Sequence, residues 1–511
     1  MAQNKIVLIN PDIVGEKEIF DYPIGLAYLS AAIKKYGFDV EIYDMYYNED
    51  EDTVLRKIFD IKPLIIGITC TTPIFDEILL FACKIKRISP KSKIILGGHH
   101  VSSIAELILE KYKQIDGIVL YEGETTICKL ATTLISEQQN AVVGISGIAF
   151  RLSNNELYIN EKHDKINLND YPIPDWEAII TPDEMYKRGY YQRRQASIVT
   201  MRGCWGKCSF CDSQCISKIN YKSIDSVEKE IEFLIEHYSI EYLYVQDLDF
   251  LKNKKRALEI SKIINAKDIK GFQIVTRADS FLKAVDVLES IRLYGCDFIE
   301  IGIESGSSSQ LKRFNKMTDI NTNSQAINIL KNIKLNYSLS FIMFDPFVTL
   351  AEIKDNYQFF IDNRLNNNEN EKWLFSILDI FPGTDIEKEA RISSLIGSDS
   401  HNRNSLFYNF INEDISLFYS FVYSYSKEIY PIIIQIRMDI SNLFKENENS
   451  INEMQFQLRN IYISINILSF KYFYALLSET PDNYYKVFQE FRKKSLDANK
   501  SLTNLRKRYE K

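Results

Sequence analysis

From residue 4 to residue 150 the chain alternates short apolar runs with amphipathic ones. The apolar runs predict strands at Lys5–Asn10, Asp39–Asp44, Leu64–Cys70, Lys93–Leu96 and Gly117–Tyr121. The amphipathic runs predict helices at Gly25–Tyr36, Thr53–Phe59, Phe75–Ile88, Ser102–Lys111 and Glu124–Glu137. Strictly alternating βα units imply a parallel, doubly wound sheet. Such sheets take their ligands at the carboxyl ends of the strands. The loops to watch are therefore Asn10-Pro11-Asp12, Cys70-Thr71-Thr72-Pro73, Gly97-Gly98-His99-His100 and Tyr121-Glu122-Gly123-Glu124.

Composition removes several classes. A length of 511 residues suggests about three domains. The 45% hydrophobic and 26% charged fractions exclude disorder over most of the chain. A formal charge of −7 gives no pull toward nucleic acid. No uninterrupted apolar run reaches the roughly 18 residues of a membrane helix, and Ile461–Leu477 is broken by Ser464, Asn466, Ser469 and Lys471. The N-terminus lacks a signal-peptide plan, so a cytoplasmic protein without a membrane span is expected. Eight cysteines are too sparse for a disulfide framework, and four of them, Cys204, Cys208, Cys211 and Cys215, fall within twelve residues.

In the first domain, Gly97-Gly98 lets backbone approach a bulky ligand, or it is a plain tight turn. His99 and His100 read as helix-entry histidines or as metal ligands, with no Cys or carboxylate at ligand spacing beside them. No G-x-G-x-x-G follows the first strand, so a dinucleotide is not supported. Four segments in order resemble the cobalamin-binding domain at the front of B12-dependent radical S-adenosylmethionine enzymes. They are Pro23-Ile24-Gly25-Leu26-Ala27-Tyr28-Leu29, Gly37-Phe38-Asp39-Val40, Lys93 to His99, and Glu122-Gly123-Glu124. The resemblance implies a Rossmann-like domain over residues 1–150, with Thr71, Thr72, Gly97, Gly98, His99, Glu122 and Gly123 at the corrinoid. The histidine-supplying D-x-H-x-x-G of some cobalamin domains is absent. That implies a base-off cofactor whose lower face is approached by Thr71-Thr72-Pro73, and an open lower face tunes the metal.

Residues 151–196 read as a linker, because LNDYPIPDW at 168–176 carries two prolines and is extended. A strand at Ser197 then runs into Cys204-x3-Cys208-x2-Cys211. Three thiolates on a short glycine-containing loop can hold one corner of a cubane cluster and leave the fourth iron to a substrate. A zinc site would need Cys215 as fourth ligand. The spacing, with Phe210 before the last cysteine and a strand directly upstream, resembles the radical S-adenosylmethionine signature. That implies a [4Fe–4S] cluster on Cys204, Cys208 and Cys211.

Strands and helices alternate from 197 to 390, predicting a partial (βα)6 TIM-like barrel. Its strand ends carry Gln246-Asp247, Arg277-Ala278-Asp279, Glu304-Ser305-Gly306, Asp345-Pro346 and Phe381-Pro382-Gly383-Thr384. Asp249 and Asp345 read as solvated loop starts. Glu304 reads as a carboxylate at a barrel mouth that can grip hydroxyls, with Ser305 and Gly306 leaving backbone open to a ligand. The resemblance places Leu311, Asn315 and Lys316 beside S-adenosylmethionine, together with Phe210, Glu304 and Ser305. Arg277 is a plausible partner for its carboxylate. Where the family often has a G-x-P turn, this chain has Phe344-Asp345-Pro346, which leaves the adenine side less defined.

Residues 391–511 predict a helical region, with Gly397 the last glycine. Tyr484, Phe488, Phe491, Ala498, Leu502, Leu505 and Tyr509 follow three- and four-residue steps and form one apolar helix face. Residues 486–511 hold nine Lys/Arg against three Asp/Glu, a face for an acidic partner or a solvated flank. The aromatic residues of this region read mainly as helical core.

The resemblance implies a cobalamin-dependent methyltransferase acting on an unactivated carbon through a 5′-deoxyadenosyl radical and methylcobalamin. It implies a small-molecule or peptide substrate and an external electron donor of the flavodoxin or ferredoxin type. The runner-up keeps both cofactors and gives a rearrangement or cyclisation. A tRNA methylthiotransferase would need three more loop cysteines, and Cys70, Cys83 and Cys128 lie on a strand end and two helices. A cobalamin sensor without catalysis is weakened by the cysteine triad.

Overall fold

The computed structural model describes residues 5–11, 21–136, 142–162, 167–213, 218–366, 372–397, 408–443 and 451–509. The first sheet contains β1 (Lys5–Asn10), β2 (Asp39–Asp44), β3 (Ile65–Thr69), β4 (Lys93–Gly97), β5 (Gly117–Val119), β6 (Ile148–Arg151) and β7 (Leu157–Asn160). Their order is β2-β1-β3-β4-β5-β6-β7. The first five run parallel, with helices on both faces, as the alternation predicts. Ile6, Val7 and Ile9 of β1 have no solvent exposure, which a strand covered on both faces requires.

Two details differ from the sequence reading. β6 and β7 pair antiparallel and extend the sheet to Asn160, so the expected boundary at 150 falls inside β6 and part of the expected linker belongs to the first sheet. The expected helix Ser102–Lys111 is two short helices, His99–Ser103 and Ala105–Lys111, broken at Ile104.

The second sheet contains β8 (Gln195–Ile198), β11 (Tyr242–Val245), β12 (Gly271–Arg277), β13 (Cys296–Glu304) and β14 (Asn336–Phe341). All four of its ladders are parallel, in the order β14-β13-β12-β11-β8. A two-stranded ribbon, β9 (Met201–Arg202) with β10 (Asn220–Tyr221), lies between the first two of these in sequence. The expected sixth strand is reduced to one bridge, Phe344 to Ile377, held by Met343 and Phe344 N–H on the Ser376 carbonyl at 3.1 and 3.0 Å. The fifth strand begins at Asn336, four residues before the expected Ser340.

Three long helices follow, Glu413–Leu443, Ile451–Ser478 and Tyr484–Tyr509. The expected apolar face of the last one is seated: Tyr484, Phe491, Leu502 and Leu505 are buried, and Phe488 and Ala498 pack beside them. The Tyr509 side chain lies outside the described residues. Part of its basic flank is used internally, since Arg492 meets Glu428 at 2.9 Å and Arg506 meets Asp439 at 3.3 Å. Among the described residues, Glu453–Ser478 is long and apolar enough by length and mean hydropathy to cross a membrane, although polar residues interrupt its apolar run. Half of that window is buried against the rest of the chain, including Tyr462, Ser469 and Tyr472. The rings of Phe410, Phe418, Tyr419 and Phe473 surround Phe344 at the sixth barrel position. These aromatics pack as core, as the sequence reading expects for most of them.

A single hydrophobic core joins Tyr22, Ile24 and Tyr28 of the first domain to Trp176, the barrel and the C-terminal helices. Polar ties reinforce the joint. Arg188 donates to the Tyr47 carbonyl at 2.9 Å and to Asn48 at 2.7 Å, and Gln246 donates to Asp21 at 2.9 Å. The carboxyl ends of both sheets consequently border one cavity.

Candidate functional site: a cysteine loop facing a glycine-floored cavity

The cysteine loop begins where β8 ends. Buried Asp247 accepts from the backbone N–H of Thr200 and Met201 at 2.7 and 2.9 Å, which turns the chain into β9. Burial pushes the Asp247 carboxyl up to about 6, against these bonds. Gly203, at φ +88°, then opens the loop. Its far side is pinned by the segment after β13: Ser209 donates its N–H to the Phe314 carbonyl at 2.9 Å and its hydroxyl to the Arg313 carbonyl at 2.8 Å. Asn315 donates to the Lys207 carbonyl at 2.7 Å.

Cys208 is buried, and Cys204 and Cys211 are half-buried. Burial pushes the Cys211 thiol up to about 11. It also raises Cys204, against the Gly206 N–H and Arg277. Thiols held neutral in this way give up their protons to a metal cation. Among the described residues no three His, Cys, Asp or Glu side chains are gathered as one metal ion would gather them. A cubane asks something different, one iron for each thiolate, and the donor set fits it. Cys215 lies outside the described residues.

The structure brings Arg277 to the loop. Its Nη1 lies 3.4 Å from Cys208 Sγ, its Nε donates to Asp279 at 3.0 Å, and its guanidinium stacks 4.6 Å from the Trp205 ring centre. Asp249 is not a solvated loop start. It is fully buried and accepts from the Trp205 indole N–H at 2.9 Å, Thr276 Oγ1 at 2.8 Å and Ser280 Oγ at 2.6 Å. It ties the cysteine loop to the end of β12. Asp345 is likewise fully buried, on Arg313 Nη2 and Gln310 Nε2, both at 2.8 Å. Ion pairing thus fixes the Phe344-Asp345-Pro346 turn.

Glu304 sits at the end of β13 in a left-handed backbone conformation, φ +66°, and its carboxylate takes Lys316 Nζ at 2.8 Å. Gly302 leaves room for that pair, because a Cβ there would lie 2.7 Å from Lys316 Nζ. Ser305 and Gly306 depart from expectation. Ser305 has no exposure and bonds Gln310 at 2.6 Å and Asn356 at 2.8 Å, while a Cβ on Gly306 would strike Phe359 at 2.2 Å. Both hold the turn from behind rather than offering backbone to a ligand. Phe210 packs edge-on against Phe314, centroids 5.2 Å apart, and so braces the loop.

A cavity of about 460 Å³ opens between the two sheets. Gly25, Gly97, Gly98, His99, Glu122 and Gly123 line it from the first domain, and Met201, Arg202 and Gly203 from the second. Cβ atoms on Gly25 or Gly97 would project into open space, so bare backbone forms part of the floor. A broad flat ligand fits such a floor. Thr71 and Thr72 do not line it: Thr72 is buried on His100 Nδ1 at 3.0 Å, and Thr69 lines the wall in their place. Gly98 is at φ +121°, and a Cβ there would lie 2.5 Å from the Cys70 carbonyl oxygen. Gly98→Ala should therefore lower unfolding free energy by about 2 kcal/mol, read from the urea midpoint; an unchanged midpoint contradicts the strain.

The sequence reading missed Arg202. From the residue pair before Cys204 it reaches back across the cavity wall to Glu122 at 3.1 Å and Glu124 at 2.7 Å, over the Tyr28 ring at 4.9 Å. Burial opposes its charge, but the two carboxylates outweigh burial and raise its pKa.

The B12 binding domain family model matches residues 18–131, and the Radical SAM superfamily model matches residues 198–360. An uncharacterized methyltransferase of Pyrococcus horikoshii is 28% identical, covering 73% of this chain and 79% of the relative. An anaerobic magnesium-protoporphyrin IX monomethyl ester cyclase of Rubrivivax gelatinosus is 27% identical, covering 75% and 71%. A solved structure of the cobalamin-dependent S-adenosylmethionine radical enzyme OxsB, with aqua-cobalamin and S-adenosylmethionine bound, shares the fold. Its TM-score is 0.79 at 20% identity, covering 99% of this chain and 80% of that one. The radical S-adenosylmethionine methyltransferase TsrM of Kitasatospora setae gives a TM-score of 0.62 at 18% identity, covering 77% of each.

Proposed function

Because the chain belongs to the cobalamin-dependent radical S-adenosylmethionine enzymes, we propose that it transfers a methyl group to an unactivated carbon of a small-molecule or peptide substrate. One observation carries this reading: the glycine-floored cavity and the cysteine loop share a wall, since Arg202 and Gly203 line the first and lead into Cys204. When bound, the cluster with S-adenosylmethionine supplies a primary carbon radical, and the corrinoid supplies a transferable methyl group.

The chain's own residues do the holding. Cys204, Cys208 and Cys211 anchor the cluster. Arg277 takes the methionine carboxylate by charge. Glu304, held by Lys316 Nζ at 2.8 Å, accepts from hydroxyls of the nucleoside. Gly97, Gly98, His99, Glu122 and Gly123 form the corrinoid's bed. An oxygen-sensitive cluster suits a reducing cytoplasm.

The test is product mass after anaerobic reconstitution with methyl-labelled S-adenosylmethionine. Methylation adds one labelled methyl in place of hydrogen. A rearrangement or cyclisation adds none, and the cyclase among the relatives keeps that second reading in view. An unlabelled product overturns methyl transfer.

A further inference from the structure

The Trp205 ring, next to Cys204, is surrounded by cations. Lys252 Nζ lies 3.8 Å from its centre, Arg277 4.6 Å and Lys283 Nζ 5.7 Å. Lys207, two residues on, and Lys252 are exposed, and the Lys283 side chain is 73% exposed. A hollow lined by Asp279, Leu311, Lys312, Asn315 and Met317 adjoins them, through Asn315 on the Lys207 carbonyl and Asp279 on Arg277. Met317, 60% exposed, gives it an apolar element, and Lys312 is a further exposed cation. The carboxylates nearby are committed elsewhere: Asp249 to the indole, Asp279 mainly to Arg277 and only at 3.9 Å to Lys283, and Asp319 to the backbone of Thr322. In a chain with 69 acidic and 62 basic residues this is a local inversion of sign. Like charges closer than the ~10 Å Debye length repel, and an anionic surface laid on them relieves the repulsion.

We propose that this face, centred on Trp205 and bounded by Lys207, Lys252, Lys283 and Lys312, docks an acidic one-electron carrier protein of the flavodoxin or ferredoxin class. The inference rests on the cluster assignment above. Position selects the partner: the patch lies on the cysteine loop itself, so a carrier seated there stands against the residues that hold the cluster. The step moves one electron. The carrier is oxidised by one, the cluster is reduced by one, and no bond or proton changes hands.

The test pairs Lys252→Glu/Lys283→Glu with the conservative Lys252→Arg/Lys283→Arg in the full chain, each checked for folding by circular dichroism. Carbodiimide cross-linking to a flavodoxin needs no bound cofactor, and mass spectrometry should map the cross-links to Lys207, Lys252, Lys283 or Lys312. In reconstituted protein at low salt, charge reversal should slow cluster reduction by reduced flavodoxin roughly tenfold, within the range of electrostatic steering. Reduction by dithionite should be unchanged, and the arginine variant should retain the wild-type rate. Cross-links elsewhere, or an unchanged flavodoxin rate in the reversed variant, overturn the docking face. Failure of dithionite to reduce any variant strikes the cluster assignment instead, while the cross-links still decide the face.

Discussion

Alanine at Cys204, Cys208 or Cys211 is expected to leave the chain folded and able to bind a corrinoid, yet to end 5′-deoxyadenosine production. Loss of an outer partner of a metal ligand costs up to about a hundredfold; loss of the ligand itself should exceed that and reach background. The fold should survive because the loop is held by other groups. Ser209 grips the Phe314 and Arg313 carbonyls, Asn315 grips Lys207, and Trp205 hangs on Asp249. Chromatography of 5′-deoxyadenosine after anaerobic reconstitution reads the activity. Iron analysis should fall from about four per chain. Any of the three variants producing 5′-deoxyadenosine at the normal rate removes that cysteine from the site.

The second large effect belongs to Arg202. Replacing it with alanine leaves Glu122 and Glu124, with side chains 13% and 5% exposed, without their shared cation. Breaking a buried pair from one side costs about 3–5 kcal/mol. The urea midpoint of Arg202→Ala should drop accordingly, and corrinoid affinity should fall with it. The triple variant Arg202→Met/Glu122→Gln/Glu124→Gln should recover most of the stability, because no buried charge is then left alone. Recovery of stability without recovery of corrinoid affinity would assign Arg202 a role in shaping the cavity. A single variant as stable as the parent would show that the clasp carries no load.

Local periodicity made much of this architecture legible. β1, β2 and the helix Phe75–Ile88 have the bounds their apolar patterns predict, since each is buried in the way its period requires. The β6–β7 hairpin was misread because its turn at Ser153-Asn154-Asn155 and its four-residue strands resemble the start of a linker. The sixth barrel strand was over-read because one bridge at Ile377 leaves no longer pattern. Among site residues, the cysteines are fixed by spacing and the glycines by the loop they open. Asp249, Asp345 and Arg202 were not legible as partners. Their counterparts lie up to 80 residues away, at Trp205 and Thr276, at Arg313, and at Glu122. A short polar residue after a strand looks the same whether it meets water or a buried indole. Ser305 failed for the same reason, its partner Asn356 lying in a later helix.

The single bridge from Phe344 to Ile377 assigns the C-terminal helices a second job. Past Phe341 the ladder has almost nothing to pair with, and an unpaired strand edge is a template for intermolecular β pairing. Phe410, Phe418, Tyr419 and Phe473 plug that gap with rings around Phe344. Shortening the chain before these helices should therefore uncover that edge and raise aggregation, read by light scattering; a truncated chain that stays monodisperse contradicts it.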